Sequence, residues 1–360
     1  MSYKLLNLSE IIEVKKGQYI TKKNSVKGPY PVILGGREPA YYTNKFNHTG
    51  KAIVVSRSGA SAGYVSFWNE PIFVTDGFLI EPKESVNIDF LYYLMKFHES
   101  QFIGLQGGSA IPHVTPKTIC AVSVLIPSLE VQTKIANMLR AYDSLIENNQ
   151  KQIKLLEEAA QRLYKEWFVD LRFPGYENTK VVDGVPEGWK KGILGDIAIF
   201  RRGKTITKTQ VHEGDVPVVA GGLEPAYYHN EANTVAPVIT VSGSGANAGF
   251  SRLYNVDVFA SDCSFADSET TPFLFFVYCF LIENRANLNA LQKGAAQPHV
   301  YAKDINTMKL TVPTDDKLEA FCKFVFSYFE KIKVLQKQIQ ISSQARDRLL
   351  PKFINGELEV

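Results

Sequence analysis

The phrase GGREPAYYTNKFN, beginning at Gly35, returns as GGLEPAYYHNEAN at Gly221. A chain that spells one irregular, glycine-opened stretch twice carries two copies of one structural unit, and its fold must accommodate both. The offset of 186 residues set by the two glycines continues without a gap. VVSRSGASAGY from Val54 meets TVSGSGANAGF from Thr240, Asp76 meets Asp262, and QGGSAIPHV from Gln106 meets QKGAAQPHV from Gln292. Repetition over half of a 360-residue chain indicates duplication of a whole domain with its following element, not a short solenoid repeat. The two halves are expected to share a fold and a pseudo-twofold relation.

Each copy opens with about 125 residues of short β-branched or aromatic runs. KAIVVS, PIFVTDGFLI and CAVSVLI alternate with glycine, proline and asparagine turns, and DFLYYLMKFHES supplies one helical piece. A β-rich α/β (α+β) globule follows from that pattern. Pro127-Ser128 and Pro313-Thr314 then place a capping hydroxyl before acidic residues, Glu130 in one copy and Asp315 and Asp316 in the other, which marks the start of a long helix.

From Leu139 the positions Tyr142, Ile146, Asn149, Ile153, Leu156, Ala160, Leu163 and Trp167 follow in steps of three and four, a heptad seam. The shifted set runs Val325, Tyr328, Ile332, Leu335, Ile339, Ser342, Arg346, Leu349 and Phe353, good for its first half and weaker after it. Two such helices are expected to form an antiparallel coiled coil, with Asn149 as a polar register mark. The first spans Ser128 to about Asp170, roughly 60 Å at 1.5 Å per residue, and RFPGY stops it. The expected order is a globule over 1–127, a helix over 128–172, a linker and second globule over 173–313 with the boundary near Pro186, and a helix over 314–360.

With 45% apolar and 21% charged residues the chain is expected to fold. The opening MSYKLLNLSEIIEVKKG lacks the features of a secretory signal, and no apolar run approaches the ~20 residues of a membrane helix, so a cytoplasmic protein is expected. Cys120, Cys263, Cys279 and Cys322 have neither CxxC spacing nor repeat symmetry, which reads as buried thiols. AIFRRGKT has Ala198 where a phosphate-binding loop needs glycine. His113 and His299 correspond, but no nucleophile or carboxylate partner stands out beside them, and Asp76 and Asp262 each stand alone where a hard metal wants several oxygens. No catalytic, metal or cofactor motif emerges, and a non-catalytic binding protein is expected.

What remains is a duplicated surface. Lys15, Lys16, Lys22 and Lys23 are echoed by Arg201, Arg202, Lys204 and Lys208, cations of the kind that neutralise phosphates. SRSGASAG and SGSGANAG set Ser56, Arg57, Ser58 and Ser61, and Ser242, Ser244 and Asn247, on glycine-rich loops whose side chains can reach base edges. Arg37, the tyrosine pairs Tyr41–Tyr42 and Tyr227–Tyr228, and the two histidines complete the candidate DNA-binding set.

The order globule, long helix, globule, long helix, with IPSLEVQTKIANML and RLYKEWFVDLRFPG bounding the first helix, resembles the specificity subunit of type I restriction-modification systems. GWKKGILGDIAIFRRGKTI and AIPHVTPKTICAVSVLIPSLEVQTKIA add to the resemblance, which covers essentially the whole chain. The second helix departs from it in lacking a counterpart of Gln132. The resemblance implies two target recognition domains, spacer helices in an antiparallel coiled coil, and a bipartite, asymmetric double-stranded DNA target. It implies no cofactor in this chain. Modification subunits, expected to be two, would use S-adenosylmethionine to methylate adenine, and restriction subunits would use ATP and Mg²⁺ to cut. Tyr164, Trp167 and Phe168 are then the expected partner-docking aromatics. A specificity subunit of a Type II-like enzyme, a tandem carbohydrate-binding scaffold stacking sugars on the tyrosine pairs, and a hydrolase using the histidines are the competing readings.

Overall fold

The computed structural model describes residues 3–107, 112–294 and 297–360. Contacts divide them into two compact units, one made of residues up to Asn148 together with Gln338–Val360, the other of Asn149–Lys337. Neither the helix Leu129–Tyr164 nor the helix Asp315–Ile354 belongs to one unit alone, because each contributes a stretch to both.

In the first unit a four-stranded sheet has the order Ile12–Lys16, Gly77–Pro82, Lys51–Ser56, Val65–Asn69, with every neighbour antiparallel. A three-stranded sheet places Tyr30–Ile33 between Tyr41–Thr43 and the parallel Phe73–Val74, and Lys4–Asn7 pairs with Ser123–Ile126. The second unit repeats all three sheets. Its four-stranded sheet runs Arg201–Arg202, Cys263–Asp267, Val238–Ser242, Ser251–Tyr254. Even the register carries over, since Val54 faces Leu79 and Thr240 faces Phe265, each pair 186 residues from its counterpart.

The central strand KAIVVS explains why its run is continuously apolar rather than alternating. Ile53 and Val55 enter one core with Phe78, Ile80, Phe90 and Leu94, while Ala52 and Val54 enter a second with Ile33, Val74 and Leu79. A strand covered on both faces has no solvent side on which polar residues would be favoured. Behind the first core lies the helix Ile88–Phe97, started by Asn87, whose side-chain oxygen accepts from the backbone N–H groups of Asp89 and Phe90 at 2.9 and 3.1 Å.

Within each unit the helix stretches pair in antiparallel fashion. In the first, Asp143 meets Arg346 at 2.6 Å, while Val131, Ile135 and Leu139 share the core with Phe353 and Ile354. In the second, Tyr164 and Trp167 meet Phe321, and Ala160 shares a core with Val325, Phe329 and Ile332. The expected stop of the first helix is a wide, π-type turn over Lys165–Val169, closed by the Asp170 N–H donating to the Lys165 carbonyl at 2.8 Å. Leu171 then leaves with φ of 57°, a conformation that L-residues resist and a helix cannot continue through.

Candidate nucleic-acid interface

The repeated phrases, scattered along the sequence, converge on one place in each unit. In the first, the Gly59 N–H donates to the Pro112 carbonyl at 3.0 Å and Val114 donates to Arg57 at 3.0 Å. The Gln106 side chain donates to the Ala62 carbonyl at 2.7 Å, and Gly107 and His113 exchange backbone hydrogen bonds. In the second unit Gly245 donates to Pro298, Val300 to Gly243, and the Gln292 side chain to Ala248, at 3.0, 3.0 and 2.8 Å. Below each loop an asparagine clamps a strand with both ends of its amide: Asn47 on Val74 and Asn233 on Ala260, at 2.7 to 3.0 Å. These asparagines close the two repeated phrases, so their signal was present in the spacing, but a lone asparagine in a loop carries no mark of what it bonds.

Several candidate residues turn out to hold this platform. Ser56 and Ser242 are buried, and their hydroxyls donate to the Gly36 and Gly221 carbonyls at 3.5 and 3.0 Å, which corrects their expected place at the DNA surface. Ser58 and Ser244 donate to the carboxylates of Asp76 and Asp262. Each carboxylate thereby holds the serine that follows position 57 or 243 in place. His113 and His299 bridge to these serines through the backbone, and the His299 ring stacks on Tyr301 with Nδ1 against the Gln297 carbonyl at 2.8 Å. The Asn247 amide reaches Gly221 at 3.5 Å, and the Ser61 carbonyl accepts from Tyr64. Among the described residues no group of three or more His, Cys, Asp or Glu is arranged to hold a metal.

The exposed remainder forms the candidate surface. Lys16 and Arg202 end matched strands, while Lys22, Lys23 and Lys208 ride on matched short turns, Lys22–Asn24 and Lys208–Gln210, with Lys204 nearby, all exposed. Lys15 and Arg201 are instead engaged with Glu81 and Asp267. Tyr42 and Tyr228 are exposed, at 52% and 56%, and Tyr227 is less so. Tyr41 is half-buried, and its hydroxyl donates to the Ile20 carbonyl at 3.2 Å. Arg37 lies 5.3 Å from the Tyr64 ring centroid. Arg57 is 55% exposed, with Nη1 3.9 Å from Asp76 Oδ1.

The aromatic group expected to dock partners is placed elsewhere. Tyr164 and Trp167 are buried, and Phe168, partly buried, touches Trp189, Phe276 and Phe321 at centroid separations of 5.9, 4.8 and 5.1 Å. These rings pack into the core of the second unit, which corrects their assignment to a free docking face. Among the described residues no helix is long and apolar enough to cross a membrane.

Comparison with known proteins agrees with this layout. A family model described as the type I restriction modification DNA specificity domain matches twice, over residues 2–158 and 186–342. The type I restriction enzyme MjaIX specificity subunit of Methanocaldococcus jannaschii is 30% identical over 346 residues, covering 86% of this chain and 78% of that protein. A putative type I specificity subunit of Mycoplasma pneumoniae, S.MpnORF638P, is 24% identical, covering 96% and 94%. The crystal structure of a type I restriction-modification system S subunit from M. genitalium superimposes with a TM-score of 0.65 at 20% identity, covering 98% of this chain and 96% of that one, and so shares its fold. Two matched domains, two matched loop platforms and these relatives together show that the chain belongs to the type I restriction-modification DNA specificity family.

Proposed function

We propose that each unit reads one part of a bipartite double-stranded DNA target, and that the long helices set the number of base pairs left between the parts. The chain is a DNA sequence-specificity subunit, and it contributes recognition while partner subunits do the chemistry. The observation that carries the reading is the pair of loop platforms, built by the same hydrogen bonds, in units that also expose cations at matched positions. Cations position a protein on the phosphates, and loops held rigid by a scaffold deliver side chains to base edges.

The partners are modification subunits, two for the two units, and restriction subunits. They supply S-adenosylmethionine-dependent adenine methylation and ATP- and Mg²⁺-dependent cleavage. The protein acts in the cytoplasm, where its DNA lies.

Two measurements test this. Affinity for duplex DNA falls steeply between low and moderate salt, because phosphate contacts release counterions; affinity that ignores salt favours sugar stacking on the tyrosines instead. A methylome of cells carrying the chain with its modification subunits shows adenines in one two-part motif with a fixed gap. Methylation without such a motif overturns the reading.

A further inference from the structure

The two platforms are internal controls for each other. Most residues that the repeat shares hold the loop together, so what distinguishes the two units has to come from residues that differ. Position 57 and its counterpart 243 stand out. The Arg57 N–H donates to the Asp76 carbonyl at 3.3 Å and its carbonyl accepts from Val114 at 3.0 Å; Gly243 makes the same two bonds, to Asp262 at 3.2 Å and from Val300 at 3.0 Å. The preceding serine is buried in both copies, and the following serine is tied to Asp76 or Asp262 in both. The backbone at this point is therefore clamped identically, and the side chain is the variable.

In the first unit that side chain is an arginine, over half exposed, leaning on Asp76 at 3.9 Å. A guanidinium beside a carboxylate adds little net charge with which to attract phosphate, so counterion release is a poor account of it. It keeps outward N–H donors in a planar fork that matches the O6 and N7 acceptors of guanine, and the carboxylate limits how far the fork can swing. In the second unit the same carboxylate and serine are present, but glycine leaves the fork out. Gly243 does not have positive φ, and a Cβ built there meets the Asp262 carbonyl oxygen at 3.1 Å and its Oδ1 at 3.4 Å, so a side chain there requires the Asp262 carbonyl to give by a few tenths of an ångström.

We propose that position 57 in the first unit and position 243 in the second form the specificity-determining site of each reading platform: Arg57, positioned by Asp76, requires a guanine in one half of the target, and Gly243 leaves the equivalent base of the other half unread by this position. The inference rests on the proposed reading of a two-part DNA target.

The test compares methylomes of cells producing the full chain with its modification subunits, as wild type, Arg57→Gly, Arg57→Lys, Asp76→Asn and Gly243→Arg. In wild type one guanine is required in one half. Arg57→Gly makes that position degenerate, with discrimination falling roughly 5- to 150-fold, and leaves the other half unchanged. Lysine, lacking the fork, restores it only in part, and Asp76→Asn relaxes the same base alone. Gly243→Arg adds a guanine requirement at the equivalent position of the other half. A motif unchanged by Arg57→Gly, or one lost equally at every base by a variant with wild-type thermal melting, overturns the inference. If Gly243→Arg does not fold, the Arg57 and Asp76 variants still decide it. A wild-type chain that yields no two-part motif overturns the underlying reading instead, so the two failures are distinguishable.

Discussion

A hydroxyl on a glycine-rich loop can face a base or brace the loop, and at Ser242 the backbone geometry decides for bracing. Its donation to Gly221 at 3.0 Å leads us to expect that Ser242→Ala lowers stability by about 1 kcal/mol, read from denaturant midpoints, while the salt dependence of DNA binding stays as it was. Lys208 is the opposite case, exposed and on a turn. Lys208→Ala leaves the midpoint in place and lowers the slope of log affinity against log salt by roughly one. Unchanged slopes for Lys208→Ala would remove it from the DNA surface. The cysteines supply a third expectation. Burial pushes the Cys263 thiol up to about 12 and Cys322 up to about 11, and raises Cys279 as well. Only thiolates alkylate, so at pH 8 iodoacetamide should leave Cys263 and Cys279 unmodified until the protein unfolds, as mass spectrometry would report. At this scale the sequence was only half legible. The repeat located the platform, yet a serine that braces and one that reads are the same letter, and the partner carbonyl or carboxylate lies 18 or more residues away.

The second helix seam weakens in its sequence pattern at Arg346, and packing explains why it still pairs there. Arg346 meets Asp143 at 2.6 Å, and the Tyr93 hydroxyl from the helix Ile88–Phe97 donates to the same carboxylate. Burial and that hydrogen bond push the Tyr93 phenol well above its usual range, so it remains a donor. The counterparts 186 residues away are Ala160, Phe329 and Cys279, all buried, so one copy solves the junction with a polar triangle and the other with two hydrocarbon side chains and a thiol. Asp143→Ala leaves the Arg346 guanidinium with Asp347 as its remaining carboxylate and the Tyr93 hydroxyl without its acceptor, and is expected to lower stability by about 1–2 kcal/mol, with a phenylalanine and alanine pair at 143 and 346 recovering part of it. A silent Asp143→Ala would show the triangle to be ornamental. Gln132 follows the same logic: its amide oxygen accepts from Asn87 N–H at 2.9 Å and its nitrogen donates to the Pro127 carbonyl at 3.0 Å, whereas the second copy buries Leu318. Heptad steps gave the seam's position, but a triangle needs a third element that no helical period encodes.

For the whole molecule, the offset of 186 residues foretold the shared topology, and the structure repeats it down to strand register. Harder to read was ownership of the helices, because a linear text attaches a helix to the globule it follows. Packing instead gives Gln338–Val360 to the first unit, where Phe353 and Ile354 are buried beside Ile135 and Leu139. Removing residues 338–360 takes two large apolar side chains from that core, each worth about 2–5 kcal/mol. Hydrogen exchange should then show Ile53–Val55 losing protection while Ile239–Val241 keep theirs; equal protection in both strands would refute this coupling of tail to first core.

That shared ownership has a consequence for how the protein is born. The first globule emerges from the ribosome first, but its last wedge is translated only after all of Asn149–Lys337, a delay on the order of 10–40 s at ordinary elongation speeds. During that interval an unfinished hydrophobic notch waits for residues encoded far downstream, so a premature stop codon ahead of Gln338 would damage a domain encoded upstream of it.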